Sequence, residues 1–256
     1  AKSSAASDVY KRQLKCNAIA VLENYDTGWL APLLPVLAGT DMPRVFWSID
    51  THCMLGKHAE YATEMRAHLV LTSVHEAVKH LSMIGIPSQW FPNAFPGDLF
   101  RHYLNHAPMY LYDVGYCGSA GSAKRQEYIR KLAPCGLRAD ISTMIGDDMI
   151  RAIRSYGIHW NFNLSDDINY RTFETLGAGR MLLTNRTHGL DKLFTIGKDL
   201  VTYSGIEDCI AKIEYYNSYG DERNEIARNG CATAYERHTY DVRCGELLKL
   251  IGGLHG

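Results

Sequence analysis

The stretch HWNFNLSDDINYRTFETLGAGRMLLTN, His159–Asn185, contains one complete strand–helix–strand pattern. HWNFNLS and RMLLTN read as buried strands, and the segment from Ile168 to Leu176 between them has the periodicity of a helix. Parallel strands need a crossover connection, which is usually a helix. This stretch therefore predicts an α/β fold with a parallel sheet.

The same alternation continues towards both ends of the chain. The further strand-like runs are NAIAVLE, RVFWSID, AHLVLTS and SQWFPNA in the first part, and YLYDVGYCG, ADISTMIG and LVTYSG in the second. Helical patterns separate these runs. Two successive sets of strands predict two Rossmann-like domains with helices on both faces of each sheet.

The segment FPNAFPGDLFRHYLNHAPM breaks both periodicities with Pro and Gly, so we expect the domain boundary there. The predicted division is residues 14–107 for a partial N-terminal domain with its linker and residues 108–240 for a C-terminal domain. Residues 241–256 are predicted to form a terminal helix. Residues 1–13 are polar and lack periodicity, and we predict that they are a non-native or disordered leader outside the fold.

Composition excludes several classes of protein. The net charge of -1 gives no overall field for nucleic acid, and no apolar run approaches the roughly 20 residues of a transmembrane segment. The 7 cysteines form no C-x-x-C pair, and an odd number suits a reducing cytosol, so we predict a cytoplasmic protein. No D-x-D motif is present to hold a metal-bound diphosphate.

The segment DVGYCGSAGSAKRQEYIRKL is the first candidate site. A strand ends in three glycines, and Ser122 can cap a helix that carries Lys124 and Arg125 in its first turn. The amides and dipole of a helix start attract anions, and glycines let a phosphate approach the backbone. The alternative is an ordinary glycine-rich turn with solvated charges.

The helix of the opening stretch is the second candidate. Asp166 or Asp167 is placed to cap it, and Tyr170, Phe173 and Leu176 form an apolar stripe for the core. Arg171 and Glu174 share another face. They form either a surface ion pair or a ligand site, because ligands of open α/β sheets bind at the carboxyl ends of the strands.

Asp50 and His52, in WSIDTH, follow a predicted strand of the first domain. A histidine beside a carboxylate is a candidate acid/base pair because histidine titrates near neutrality. In the alternative interpretation, the aspartate caps a helix and the histidine only packs.

Several segments, in order, resemble one known family. DVGYCGSAGSAKRQEYIRKL, NFNLSDDINYRTFETLGAGRMLLTN, GLDKLFTIGKDLVTY and ERNEIARNGCATAYERHTYDVRCGELL are similar to the C-terminal domain of CgeB-type (spore maturation protein-like) glycosyltransferases, within glycosyl transferases group 1. The resemblance runs from about Tyr112 to the end, and RTFETLGAG and HTYDVR are its most specific blocks. PRVFWSIDTH and FPNAFPGDLF resemble the end of the family's N-terminal domain.

This resemblance implies a GT-B fold in which two Rossmann-like domains face each other, with the terminal helix packing back on the first. It implies a hexosyltransferase-like enzyme that moves a sugar from a nucleotide sugar to an unknown glycan, protein or small-molecule acceptor, with no metal and no cofactor. The N-terminal domain is short for this fold, so we expect it to be truncated. An inactive sugar-nucleotide or polysaccharide-binding module, and a GT-B-like epimerase or phosphorylase, remain alternatives.

The resemblance also implies roles for individual residues. Glu174 matches the carboxylate that holds the donor ribose, Arg125 fits a diphosphate contact, and Asp50 or His52 contacts the acceptor hydroxyl. The implied donor-binding residues are Gly118, Ser119, Arg125, Asn163, Asn169, Arg171 and Glu174.

Overall fold

The computed structural model describes residues 17–23, 28–106, 110–141 and 144–254. The chain divides into two compact units. Unit 1 contains the residues up to Pro92 and those from Leu247 onward, and unit 2 is Asn93–Glu246. The predicted leader, residues 1–13, lies outside the described residues.

Unit 1 is built on a four-stranded parallel sheet in the order β1-β2-β3-β4. Its strands are β1 (Ile19–Glu23), β2 (Arg44–Ser48), β3 (Leu69–Thr72) and β4 (Ser88–Trp90). Helices α1 (Leu34–Ala38), α2 (Thr51–Glu64) and α3 (Ala77–Met83) connect them. Every residue of β2 is buried, as expected for a parallel strand covered on both faces.

Unit 2 is built on a five-stranded parallel sheet in the order β6-β5-β7-β8-β9. Its strands are β5 (Tyr112–Cys117), β6 (Leu137–Asp140), β7 (Tyr156–Asn161), β8 (Met181–Asn185) and β9 (Val201–Tyr203). The core packs around β7, whose six residues are all buried and whose Trp160 is completely enclosed.

The helices of unit 2 follow in chain order from the segment in which the boundary was predicted. They are α4 (Gly97–Leu104), α5 (Ala123–Leu132), α6 (Gly146–Ser155), α7 (Tyr170–Gly177), α8 (Leu190–Leu193), α9 (Ile206–Ser218) and α10 (Gly220–Arg237). The last helix, α11, spans Tyr240–Gly253. Within the described ranges, none of the helices is long and apolar enough to cross a membrane.

The two parallel sheets confirm the predicted α/β fold with paired Rossmann-like halves. Phe173 and Leu176 are fully buried and Tyr170 is half-buried, so the predicted apolar stripe does face the core. The predicted cap of α7 is wrong. The N-cap is Asn169, whose side chain makes no capping bond, and Asp166 instead accepts from the His188 amide at 2.7 Å.

Candidate functional site

The strand order of unit 2 creates a crevice at the carboxyl ends of β5 and β7. From β5 the chain moves outward to β6, and it then returns past β5 to β7. The loops after β5 and β7 therefore lead to opposite sides of the sheet and leave a gap between them. Open α/β sheets bind their ligands at such a switch point.

The loop after β5 begins with a residue that needs to be glycine. Gly118 has φ +151°, and a Cβ there would lie 3.1 Å from the Tyr116 hydroxyl. That hydroxyl donates to the Ser119 carbonyl, and the Gly121 amide donates to Ser119 Oγ at 3.1 Å. Hydrogen bonds within the loop thus hold it in a compact conformation.

Helix α5 starts at the end of this loop as predicted, with Ser122 Oγ accepting from the Arg125 amide at 3.1 Å. The guanidinium of Arg125 is buried. It donates to the Ser119 carbonyl at 2.7 Å and to the Phe162 carbonyl at 2.8 Å. Arg125 therefore connects the loop after β5 to the end of β7, and its buried positive charge lies next to both.

A network of amide side chains fills the crevice end of β7 and β8. Asn161 Nδ2 donates to Asn163 Oδ1 at 3.2 Å and to Thr184 Oγ1 at 3.1 Å. Asn169 Nδ2 donates to Asn161 Oδ1 at 3.1 Å, and the Asn163 amide donates to Asn185 Oδ1 at 2.6 Å. Two predicted residues, Asn163 and Asn169, therefore belong to one network, in which they position the start of α7.

Arg171 and Glu174 form the ion pair that their spacing predicted, with side chains only 20% and 15% exposed. Arg171 also donates from Nε to the Cys117 carbonyl at 2.9 Å and from Nη2 to the Met144 carbonyl at 3.2 Å. Burial raises the pKa of Glu174, and the charge of Arg171 opposes that shift. The carboxylate thus lies on α7, beside the end of β5.

The buried His159 of β7 connects the end of β5 to α7. The Cys117 amide donates to His159 Nε2 at 3.2 Å, so Nδ1 carries the proton and donates to Thr175 Oγ1. Thr175 in turn donates to the Arg171 carbonyl. Burial, aided by the charge of Arg171, lowers the pKa of His159 to about 3, so the ring stays neutral.

In unit 1, Asp50 and His52 follow β2 at the start of α2, as predicted. Asp50 occupies the N-cap position with φ 51°, an uncommon backbone conformation for a residue other than glycine, and its side chain makes no capping bond. Burial lowers the pKa of His52 and the Asp50 carboxylate opposes that shift. Just behind them, Ser48 Oγ bonds to His58 Nδ1 at 2.7 Å and to Thr51 Oγ1 at 2.6 Å.

The structure brings the seven predicted donor-site residues to one edge of the unit 2 sheet. It adds members that sequence reasoning missed, namely Tyr116, His159, Asn161, Thr184 and Asn185. A signal for two of them was present, because His159, Asn161 and Asn163 alternate along HWNFNLS and so share one face of the strand.

A family model described as Glycosyl transferase-like matches residues 121–249, half of the chain. The chain belongs to the glycosyl transferase-like family. This confirms the assignment to the glycosyltransferases that the sequence motifs predicted. No curated protein sequence is significantly similar to this member of the family.

Solved structures show that this glycosyl transferase-like chain has the fold of known glycosyltransferases. HepE from Anabaena, in complex with UDP-glucose, is 13% identical, with a TM-score of 0.67 over 91% of this chain and 78% of that one. Sucrose-phosphate synthase from Thermosynechococcus elongatus is 9% identical, with a TM-score of 0.66 over 98% of this chain and 76% of that one. At these identities the likeness concerns the fold.

Proposed function

We propose that unit 2 binds the nucleoside diphosphate of a nucleotide sugar in the crevice between β5 and β7, and that the chain transfers the sugar to an acceptor. One observation carries this proposal. The glycine loop, the start of α5 and the Arg171–Glu174 pair all lie at the switch point of the sheet. That arrangement offers sites for an anion and for a diol next to each other.

The diphosphate is expected against the loop from Gly118 to Ser122. The start of α5 supplies amides and the positive end of the helix dipole, and Gly118 lets an oxygen approach the backbone. Arg125 contributes positive charge behind the loop, because its guanidinium already binds the carbonyls of Ser119 and Phe162. These groups would stabilise the negative charge that develops on the departing diphosphate.

The ribose is expected at Glu174, where one carboxylate can accept bonds from two neighbouring hydroxyls. Arg171 binds Oε2 of Glu174 and holds the carboxylate in place, so the lone pairs of Oε1 remain available to the ribose hydroxyls. Because burial already raises the pKa of Glu174, bonds from hydroxyl donors would favour its charged form. Arg125, Arg171 and the start of α5 supply positive charge for the diphosphate. This supports the proposal that the transfer needs neither a metal nor a cofactor.

Within the family, the RTFETLGAG and HTYDVR blocks support the finer assignment to the CgeB-type enzymes. In HTYDVR, His238 Nδ1 accepts from Arg243 at 3.0 Å, and the Phe95 amide donates to the His238 carbonyl at 3.1 Å. His238 and Arg243 of this block therefore have a structural role in unit 2.

For unit 1, we propose that Asp50 and His52 contact the acceptor hydroxyl. The left-handed backbone at Asp50 supports this, since such strain is concentrated at functional sites. The lowered pKa of His52 leaves the ring neutral near pH 7, as a base that accepts a hydroxyl proton requires.

Calorimetry with UDP, UDP-glucose and UMP tests the donor site, and UDP is the first probe because HepE was crystallised with UDP and with UDP-glucose. We expect UDP to bind more tightly than UMP, since the β-phosphate would lie at the start of α5. Equal affinities, or no binding of any nucleotide sugar, would contradict the proposed site.

Release of UDP from UDP-sugars, together with a product that forms only when an acceptor is present, distinguishes a transferase from a binding module. Epimerised donor or phosphate-dependent cleavage of a glycan would favour an epimerase or a phosphorylase.

A further inference from the structure

A second pocket lies in unit 2 at the amino-terminal edge of the sheet, and its volume is about 390 Å3. Arg154, the penultimate residue of α6, and Arg180, which immediately precedes β8, line it together with Arg228 of α10. The smaller residues of its wall are Gly179, Cys231 and Ala232. The crevice proposed for the nucleotide sugar lies at the other ends of the same strands, about 17–20 Å away at ~3.3 Å per residue.

Among the described residues, the two buried arginines of this pocket have neutral partners. Arg154 donates to the carbonyls of Ala178 at 3.1 Å and His106 at 2.6 Å, which occupies two of its five N–H groups. Arg180 donates from Nε and Nη2 to the Arg154 carbonyl at 3.1 and 2.9 Å, and from Nη1 to the Tyr110 hydroxyl at 3.2 Å and the Gly179 carbonyl at 3.3 Å. These bonds leave one of its five N–H groups for a ligand. Both residues are more than nine-tenths buried.

In the part of the chain that the structure describes, these charges have no balancing carboxylate. Across the described ranges, Arg154, Arg180 and Arg228 form no ion pair with an aspartate or glutamate. Burial lowers the pKa of Arg154, and burial together with the charge of Arg154 lowers the pKa of Arg180 to about 10. A buried cation without a counter-ion is unfavourable, and two neighbouring cations repel each other.

We propose that this pocket binds a phosphate group, as inorganic phosphate or a small phosphomonoester. Three N–H groups of Arg154 and one of Arg180 remain to donate to phosphate oxygens, and Arg228 at the rim adds a third cation. The volume accommodates a phosphate with a small organic substituent. The site lies apart from the nucleotide-sugar crevice, so phosphate binding here can be tested independently of the proposed transferase activity.

Thermal shift and calorimetry with inorganic phosphate and with glycerol 3-phosphate, against chloride at equal ionic strength, test this site. We expect both phosphates to raise the melting temperature more than chloride does, because they bind the native state. Arg228→Gln, at the exposed rim, is expected to weaken phosphate binding at least about fivefold. Arg130→Gln, on the exposed face of α5, is the matched control and should leave binding unchanged.

A second variant addresses the buried part of the pocket. Arg180→Lys keeps the charge but removes the free guanidinium N–H and the paired bonds to the Arg154 carbonyl that hold the two side chains together. It should weaken phosphate binding while UDP binding stays as in the parent protein. Phosphate affinity that is equal in the parent, Arg228→Gln and Arg180→Lys proteins would overturn the proposal. So would equal melting temperatures in phosphate and chloride.

Discussion

Arg171 binds the carboxylate of Glu174 one helical turn away, and the same guanidinium donates to the Cys117 carbonyl at 2.9 Å. One side chain thus connects the proposed ribose carboxylate to the end of β5. Both partners are mostly buried, so this is not the solvated surface pair of about 0.3–0.5 kcal/mol that their i, i+3 spacing alone would suggest. The pair fixes where α7 presents Glu174.

Replacing Glu174 by glutamine tests the ribose role. The amide offers one acceptor oxygen where the carboxylate offers two, and we expect UDP affinity measured by calorimetry to fall about tenfold. Glu127→Gln, which breaks an exposed ion pair with Lys131 on α5, is the control and should leave affinity unchanged. A folded Glu174→Gln protein with parental affinity would exclude the role.

Gly118→Ala should damage the glycine loop. The residue has φ +151°, and the added methyl group would crowd the Tyr116 hydroxyl that holds the Ser119 carbonyl. We expect a loss of about 1–3 kcal/mol in the free energy of unfolding, together with weaker UDP binding. Gly136→Ala is the control, because it also places a side chain at a positive φ, +79°, but with open space around it. It should reduce stability but not UDP affinity, and equal UDP affinities of the two variants would argue against a phosphate at this loop.

His159 should make the protein sensitive to acid. Its pKa is about 3 in the folded state against 6.5 for the exposed ring, so the unfolded state binds more protons between these values. The stability that the neutral ring supports is complete above pH 6.5 and is lost as the pH falls towards 3. At 1.36 kcal/mol per unit, the loss between pH 6.5 and about pH 5 is on the order of 2 kcal/mol.

Urea unfolding of the parent protein and of His159→Gln at both pH values measures this contribution. The variant starts from lower stability, but its stability should fall less steeply with acid. His238, whose pKa burial lowers to about 4, contributes acid sensitivity equally to both proteins and cancels in the comparison. Parallel pH profiles would show that His159 is not the source.

Arg125 and Lys124 are adjacent but should respond differently to substitution. Arg125→Met removes two bonds from a charged donor to backbone carbonyls, and we expect a loss of about 2 kcal/mol in unfolding free energy with weaker UDP binding. Lys124→Met, at an exposed position, should change stability by less than about 0.5 kcal/mol. A small effect of Arg125→Met on both quantities would contradict the idea that this residue supports the loop.

The alternation of strands and helices predicted the fold because each buried strand of a parallel sheet is a short apolar run that can be recognised locally. The position of the second candidate site followed from the same pattern, since Arg171 and Glu174 open the helix after β7. Ser122 was predictable as a cap because its bond to the Arg125 amide spans only three residues.

Other features depend on contacts that no local pattern encodes. Lys124 and Arg125 look equivalent in the sequence, and only the approach of Phe162 at the end of β7 makes the second one buried. Asp166 was a reasonable cap by spacing, but a loop after β8 brings the His188 amide to it. Likewise, the histidine bond to the Cys117 amide joins residues 42 positions apart.

Gly177 closes α7, and a Cβ there would lie 2.3 Å from Cε2 of Phe95. The ring therefore packs directly on the helix backbone, one turn beyond Glu174. Anyone transplanting the R-x-x-E segment to another α/β protein would need to carry both this glycine and an aromatic residue from a distant part of the chain. Without the glycine, a side chain at this position would collide with the ring, and the helix could not keep the packing that fixes where it presents the carboxylate.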